Sequence, residues 1–269
     1  IVAIVNDTVF TLMSVAHHNL KCKISCVLGS GLNACFVNTW QKEASKDAED
    51  DQLFEVVYNT ELGALGEKGS LDFLRTKYDK DLDQKSSIPN SQILEKMVSM
   101  TYLGEIVRLV LEDLKKDELM FCGAPSCPEQ GSFTSESVVG IDRDSTADFR
   151  ETGRILADLG MLWYTMEDLK IVKYVCKLTI ERAAILAAAG LATLINHLNQ
   201  PDLVIVVDGE LTRKLPCFYD LMYRKTQELV NPKLKERFFL VSSFNGGRFR
   251  AANIAAAVLL KQNKEASGT

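Results

Sequence analysis

The sequence has no CxxC pair, only three histidines, and no basic leader ending in a small-residue cleavage site. It also has no uninterrupted apolar run of the ~20 residues that a bilayer crossing needs; the longest small-apolar stretch, Ala183 to Ile195, is shorter and flanked by Arg182. Each absence removes a class. Cys22 and Cys26 do not form a CxxC pair, and Cys122 with Cys127 has no second pair at zinc spacing, so no metal centre is expected. Without a signal peptide or membrane span, the seven cysteines read as reduced thiols and the compartment as cytosol. His17–His18 reads as a polar helix end, and His197 suits the negative end of a helix dipole. A net charge of −5 offers no broad basic surface for nucleic acid or anionic membrane. Neither a GxxxxGK[ST] nor a GxGxxG fingerprint occurs. The chain begins Ile1-Val2-Ala3-Ile4-Val5 without an initiator Met, and is expected to be part of something longer.

With 46% hydrophobic residues, 269 positions suffice to bury a substantial core. Strand and helix signals alternate, which defines an α/β class. Short β-branched or apolar runs predict strands at Ile1–Val5, Ile24–Leu28, Ala34–Asn38, Phe54–Tyr58, Leu203–Val207 and Phe238–Val241. Asn6-Asp7-Thr8 supplies a turn and N-cap for a helix over Val9–Ala16. Helical spacing predicts further helices over Gln92–Leu114, Asp148–Asp158, Thr179–Leu198 and Arg250–Lys261. The third of these is rich in Ala and Gly and suited to close packing on a sheet. Gln41–Gln52 reads as a charged loop and Gly123–Ser137 as a Gly/Pro/Ser-rich one.

Three turns follow strands: Gly29-Ser30-Gly31, Asp208-Gly209 and Asn245-Gly246-Gly247. Glycine lets a ligand approach the backbone, although any α/β protein has such turns. The carboxylates are equally open when read alone. Asp7 is a cap or a functional acid, Glu61 a strand end or a ligand, and Glu105 an i,i+3 partner of Arg108 or a site residue.

Taken together, these segments resemble the large domain of hexokinases. The resemblance rests on Val5-Asn6-Asp7-Thr8-Val9, Gly29-Ser30-Gly31-Leu32-Asn33-Ala34-Cys35 and Asn59-Thr60-Glu61-Leu62-Gly63-Ala64. It continues through Leu71-Asp72-Phe73-Leu74-Arg75-Thr76, Glu95-Lys96-Met97-Val98-Ser99, Tyr102-Leu103-Gly104-Glu105-Ile106-Val107-Arg108, Arg182-Ala183-Ala184 and Val207-Asp208-Gly209. It implies an actin-like, ribonuclease-H-like fold and ATP-dependent phosphorylation of the 6-hydroxyl of glucose or a related hexose, with Mg²⁺ arriving on the nucleotide. Asp7 falls on the family's catalytic base, and Asn6, Asn33, Glu61 and Glu105 on sugar-binding positions. Gly29, Ser30, Gly31, Asp208, Gly209, Gly246 and Gly247 fall on nucleotide turns. Residues 1–261 would form the large domain and 262–269 a polar tail, with the small domain outside the chain; alone, the chain is expected to turn over little.

Departures sit on the nucleotide side. Phe10 stands where the family has Gly, and Glu210 where it has a hydroxyl residue. Asn245-Gly246-Gly247-Arg248-Phe249-Arg250 replaces a Gly-Ser-Gly-Lys-Gly pattern. Arg248 and Arg250 either supply phosphate contacts or do not. Two readings therefore stand: the large domain of a hexokinase, or a divergent sugar-binding relative acting as a sensor, scaffold or regulatory half.

Overall fold

The computed structural model describes residues 4–41, 53–123 and 127–242. The helix expected over 250–261, the strand residues 1–3 and the turn at Gly246-Gly247 lie outside those residues. Among the described residues a single five-stranded sheet runs in the order β3-β2-β1-β4-β5. β1 (Cys22–Leu28), β2 (Leu32–Gln41) and β3 (Leu53–Asn59) form an antiparallel meander. β4 (Leu203–Asp208) pairs parallel with β1, and β5 (Phe238–Ser242) parallel with β4.

Alternation along β4 explains why it is central. Leu203, Ile205 and Val207 enter the larger core, while Val204 and Val206 enter a smaller one on the opposite face. The small core is closed by α1 (Asp7–Ala16), whose Leu12 is buried with Val9, Val15 and Ala16 packed alongside. The large core is filled by α3 (Ile93–Val98), α4 (Met100–Lys116), α5 (Ser135–Arg143), α6 (Arg150–Asp158) and α7 (Met166–Leu198). Buried Ala183, Ala184, Ala187 and Ala188 let α7 lie close to its neighbours, among them α9 (Pro216–Leu229). α2 (Lys77–Lys85) and the short α8 (Glu210–Lys214) complete the described helices.

Several expectations are corrected. Of the strand expected over Ile1–Val5, the described residues Ile4 and Val5 form no strand, and Ile4 is 90% exposed. The helix expected over Gln92–Leu114 is two, because Ser99 takes an extended backbone (ψ 157°) between α3 and α4. The loop expected through Ser137 gives way to α5 at Ser135, capped by the Thr134 hydroxyl, which accepts from the Ser137 N–H. α7 begins at Met166, well before Thr179, behind a Thr165–Asp168 capping box. By length and composition it meets the requirement for a membrane span; its buried Ala, Leu, Val and Ile positions read as those of a core helix.

Candidate functional site

β1 and β4 run parallel, with Val27 opposite Asp208, so the turns leaving both strands lie side by side. Gly209 has φ +123°, and a Cβ there would stand 1.9 Å from the Leu28 carbonyl oxygen, so only glycine fits. The Gly29–Gly31 turn is held by α4: the Met100 N–H donates to the Gly29 carbonyl (2.9 Å), and the Thr101 hydroxyl to the Ser30 carbonyl (2.6 Å). Ligands in open α/β sheets gather at such carboxyl ends.

A cleft of about 400 Å³ opens there, lined by Asp7, the 29–31 turn, Asn33, Glu61, Gln92 and Glu95, among others. Asp7 is the first residue of α1, and its Oδ1 accepts from the Thr8 N–H (2.7 Å). Asn33 is oriented by its surroundings. Its Oδ1 accepts from the Ala34 and Leu62 N–H groups (2.8 and 3.3 Å), and its Nδ2 donates to Asn59 Oδ1 (2.9 Å). The Asn59 amide donates in turn to Glu61. Glu61 has a left-handed backbone (φ 50°, ψ 48°), the kind of strain that surrounding structure sustains at functional positions. Glu95 Oε2 accepts from the Leu32 N–H (2.8 Å), and a Cβ on Gly31 would meet that oxygen at 2.7 Å. Gly63 likewise makes room for Gln92, whose Oε1 lies 2.6 Å from where its Cβ would be.

A second cavity of about 300 Å³ adjoins the first and shares Ser30 with it. Its lining includes Thr101, Thr134 and Ser135 together with Glu105, Glu136 and Glu210. No lysine or arginine lines it among the described residues. The carboxylates are met from outside. Arg108 grips Glu105 through Nε (2.9 Å) and Nη2 (2.8 Å), while Lys214 Nζ bridges Glu210 (2.7 Å) and Glu136 (3.3 Å). The backbone N–H of Glu136, then Lys214, hold the Glu136 carboxyl below the usual range.

The structure therefore gathers Asp7, Asn33, Glu61, Gly29, Ser30 and Gly31 into one cleft. Asn6 is not among its lining residues and instead caps α1, accepting from the Thr8 N–H (3.0 Å). Glu105 lies in the second cavity, bound to Arg108 and to the Gly131 N–H (3.0 Å), so the i,i+3 pair is what the fold uses. Asp208 is paired with Arg213 beside the Gly209 turn. Gln92 and Glu95 were not singled out from the sequence. Gln92 is the left-handed N-cap of α3 and Glu95 lies in its first turn, so helical periodicity gives no signal that the two share a cleft.

A mixed sheet between helical layers, with adjoining polar clefts at the carboxyl ends of its parallel strands, defines an actin-like ATPase-type domain. The hexokinase family model matches residues 23–257, and the chain belongs to that family. It is 37% identical to the hexokinase of Schistosoma mansoni over 95% of this chain and 56% of that relative. It is 33% identical to mouse hexokinase-1 over 100% of this chain and 28% of that one. The chain thus spans about half or less of these relatives. The solved S. mansoni hexokinase complexed with glucose superposes with a TM-score of 0.84 at 36% identity, covering 95% of this chain and 57% of that one. A ROK-family glucokinase from Streptomyces griseus, solved with glucose and AMPPNP, shares the fold at a TM-score of 0.51 and 14% identity, over 92% of this chain and 65% of that one.

Proposed function

We propose that the 400 Å³ cleft binds glucose or a related hexose, and that the chain is the large domain of an ATP-dependent hexose 6-kinase. The observation that carries this is the lining: three carboxylates (Asp7, Glu61, Glu95) and two amides (Asn33, Gln92) with no described lysine or arginine. Such a surface repels anions but satisfies many hydroxyl donors at once, and once a ligand covers it an acceptor facing a missing hydroxyl is left unpaired. Asp7 would serve as general base, taking the proton of the 6-hydroxyl as that oxygen bonds to the γ-phosphorus of ATP and the bond from that phosphorus to the bridging oxygen breaks, with ADP leaving. Ser30, common to both cavities, stands where acceptor and donor meet. The nucleotide, bringing Mg²⁺ on its phosphates, would lie in the second cavity along the Gly29–Gly31 and Asp208–Gly209 turns. The rest of the sugar pocket would come from a small domain elsewhere in a longer polypeptide, whose closure excludes water. Seven free thiols suit a reducing compartment, the cytosol.

A second reading has its own support. Glu105, Glu136 and Glu210 line the donor cavity without a cation among the described lining residues, a poor match to a triphosphate. The chain would then bind sugar as a sensor or regulatory half without efficient transfer. Titration with D-glucose and separately with MgATP, followed by amide chemical shifts, decides between them. Glucose should move Asn33 and Gln92 side-chain resonances. MgATP shifts at Ser30 and Thr134 favour the kinase, and their absence favours the sensor. In the longer polypeptide, Asp7→Asn is expected to lower turnover about 10²–10⁴-fold with glucose affinity nearly unchanged. Normal turnover by that variant would refute the base assignment.

A further inference from the structure

The segment leading into α3 holds two left-handed, non-glycine residues within three positions: Asn90 (φ 63°) and Gln92 (φ 53°). Gln92 lines the proposed sugar cleft, yet its backbone conformation is one that its own side chain disfavours. Two carboxylates outside the cleft lining hold this segment. From one side, Glu67 Oε1 accepts both the Gln92 N–H (2.8 Å) and the Ser91 hydroxyl (2.7 Å). From the other, buried Asp83 Oδ1 accepts the Asn90 N–H (3.0 Å) and the Lys96 ammonium (2.6 Å). Lys96 also donates to the Ile88 carbonyl (2.6 Å), bracing the same loop from within α3.

The Gln92 side chain accepts no capping hydrogen bond from the first turn of α3. Its side chain is instead directed to Gly63, where its Oε1 occupies the space a Cβ would take. The helix thus begins on a residue whose backbone is anchored by Glu67, while its amide is committed to the cleft. We propose that Glu67 is a positioning residue for sugar binding: by fixing the Gln92 backbone in its left-handed turn, it aims the Gln92 amide into the acceptor cleft. Asp83 and Lys96 provide the opposing anchor. The inference rests on the sugar-site reading above and adds a residue that does not line the cleft.

Glu67 is exposed, so its variants should fold, whereas Asp83 variants disturb a buried ion pair. Glu67→Ala removes the acceptor, while Glu67→Gln keeps an acceptor oxygen. With D-glucose as probe and amide shifts as readout, Glu67→Ala is expected to weaken binding about three- to tenfold, the size of one net hydrogen bond, and Glu67→Gln to stay within about twofold. In a Gln92→Ala background, Glu67→Ala should cause no further loss, because it acts through Gln92. A purely structural role would give the same loss in both backgrounds, and that result overturns the proposal, as does an unaltered affinity in Glu67→Ala. Should the unsubstituted chain show no glucose-dependent shifts, the sugar reading fails. The clamp is then judged by the Gln92 resonances alone. Glu67→Ala must displace both backbone and side-chain signals while Glu67→Gln leaves them in place, and unmoved signals in Glu67→Ala refute it.

Discussion

Replacing Lys96 by Met removes one member of the most buried ion pair described in the molecule. The Lys96 and Asp83 side chains are each 3% exposed and lie 2.6 Å apart. Asp83 keeps two of its three partners in the variant, Arg75 (2.8 Å) and the Asn90 N–H (3.0 Å), while the Ile88 carbonyl loses its ammonium donor. Breaking a buried pair outright costs about 3–5 kcal/mol. With Arg75 still present, the expected loss is about 2–3 kcal/mol, or about 4–12 °C in Tm for a domain of this size. The loss should depend on pH in a definite direction. Burial alone would raise the Asp83 carboxyl, but the Lys96 hydrogen bond and charge, with Asn90 and Arg75, outweigh it and hold the group below its ordinary value. A carboxyl lowered by folding stabilises above its unfolded pKa and loses that contribution as pH falls through the folded one. Without Lys96 less of this contribution exists, so the stability gap between parent and variant should narrow below about pH 4. Urea unfolding of both proteins from pH 7 to pH 3 measures it. A variant as stable as the parent at pH 7, or a gap that stays constant on acidification, would refute the reasoning.

Gly209→Ala should cost about 3 kcal/mol or more in urea unfolding, since its Cβ would overlap the Leu28 carbonyl at 1.9 Å on a φ of +123°. Gly123→Ala is the matched control: φ is +89° but the space is open, so about 1 kcal/mol of backbone strain is all that is expected. Equal costs at the two positions would show that the close approach of the β1 and β4 turns is not what demands glycine. Cys217 sits on an exposed residue, yet desolvation of its sulfur and then the adjacent Asp142 carboxylate push its thiol up to about 11. Its alkylation by iodoacetamide should therefore be slow at pH 7.5, accelerate with rising pH, and quicken in Asp142→Asn. A rate independent of pH between 7 and 10 would contradict that assignment.

The strands were legible because each is a short apolar run closed by Gly, Asn, Asp or Ser, and four of them coincide with β1, β3, β4 and β5 to within two residues at either end. The same pattern misleads at Ile4, because apolar β-branched residues report fitness for a strand, not the presence of a neighbour to pair with. The break at Ser99 was illegible for a different reason. α3 and α4 both present Leu94, Met97, Leu103 and Val107 to the large core, so helical periodicity runs on across a one-residue kink. α2 was missed because Tyr78 and Leu82 are its only large apolar residues; its Thr76–Asp79 capping box was the legible trace. Asp7, Asn33 and Glu61 share one cleft lining, with Glu95 beside them, whereas Glu105 lines the second cavity. Sequence shows that a carboxylate is present. Whether a cation three residues on has already claimed it depends on the helix face, as Arg108 has claimed Glu105.

The two cavities differ in how their carboxylates are held, and this difference bears on function. In the first cleft, the partners of Asp7, Glu61 and Glu95 are neutral donors: the Thr8 N–H and hydroxyl, the Asn59 amide and the Leu32 N–H. Neutral donors orient a carboxylate while leaving its charge and remaining lone pairs for a ligand. In the donor cavity, Glu105, Glu136 and Glu210 are each paired with a cation, Arg108 or Lys214. Lys214 also joins the start of α5 to α8 from outside that cavity's lining. A triphosphate entering there would meet carboxylates whose cations are already engaged, and would have to draw Lys214 away from both glutamates to use it. On the proposed reading the first cleft would suit a neutral polyol as it stands, whereas the second cavity would have to rearrange its ion pairs before it favoured an anion. On that reading, sugar binding and phosphate transfer would therefore be separable by substitution in this domain.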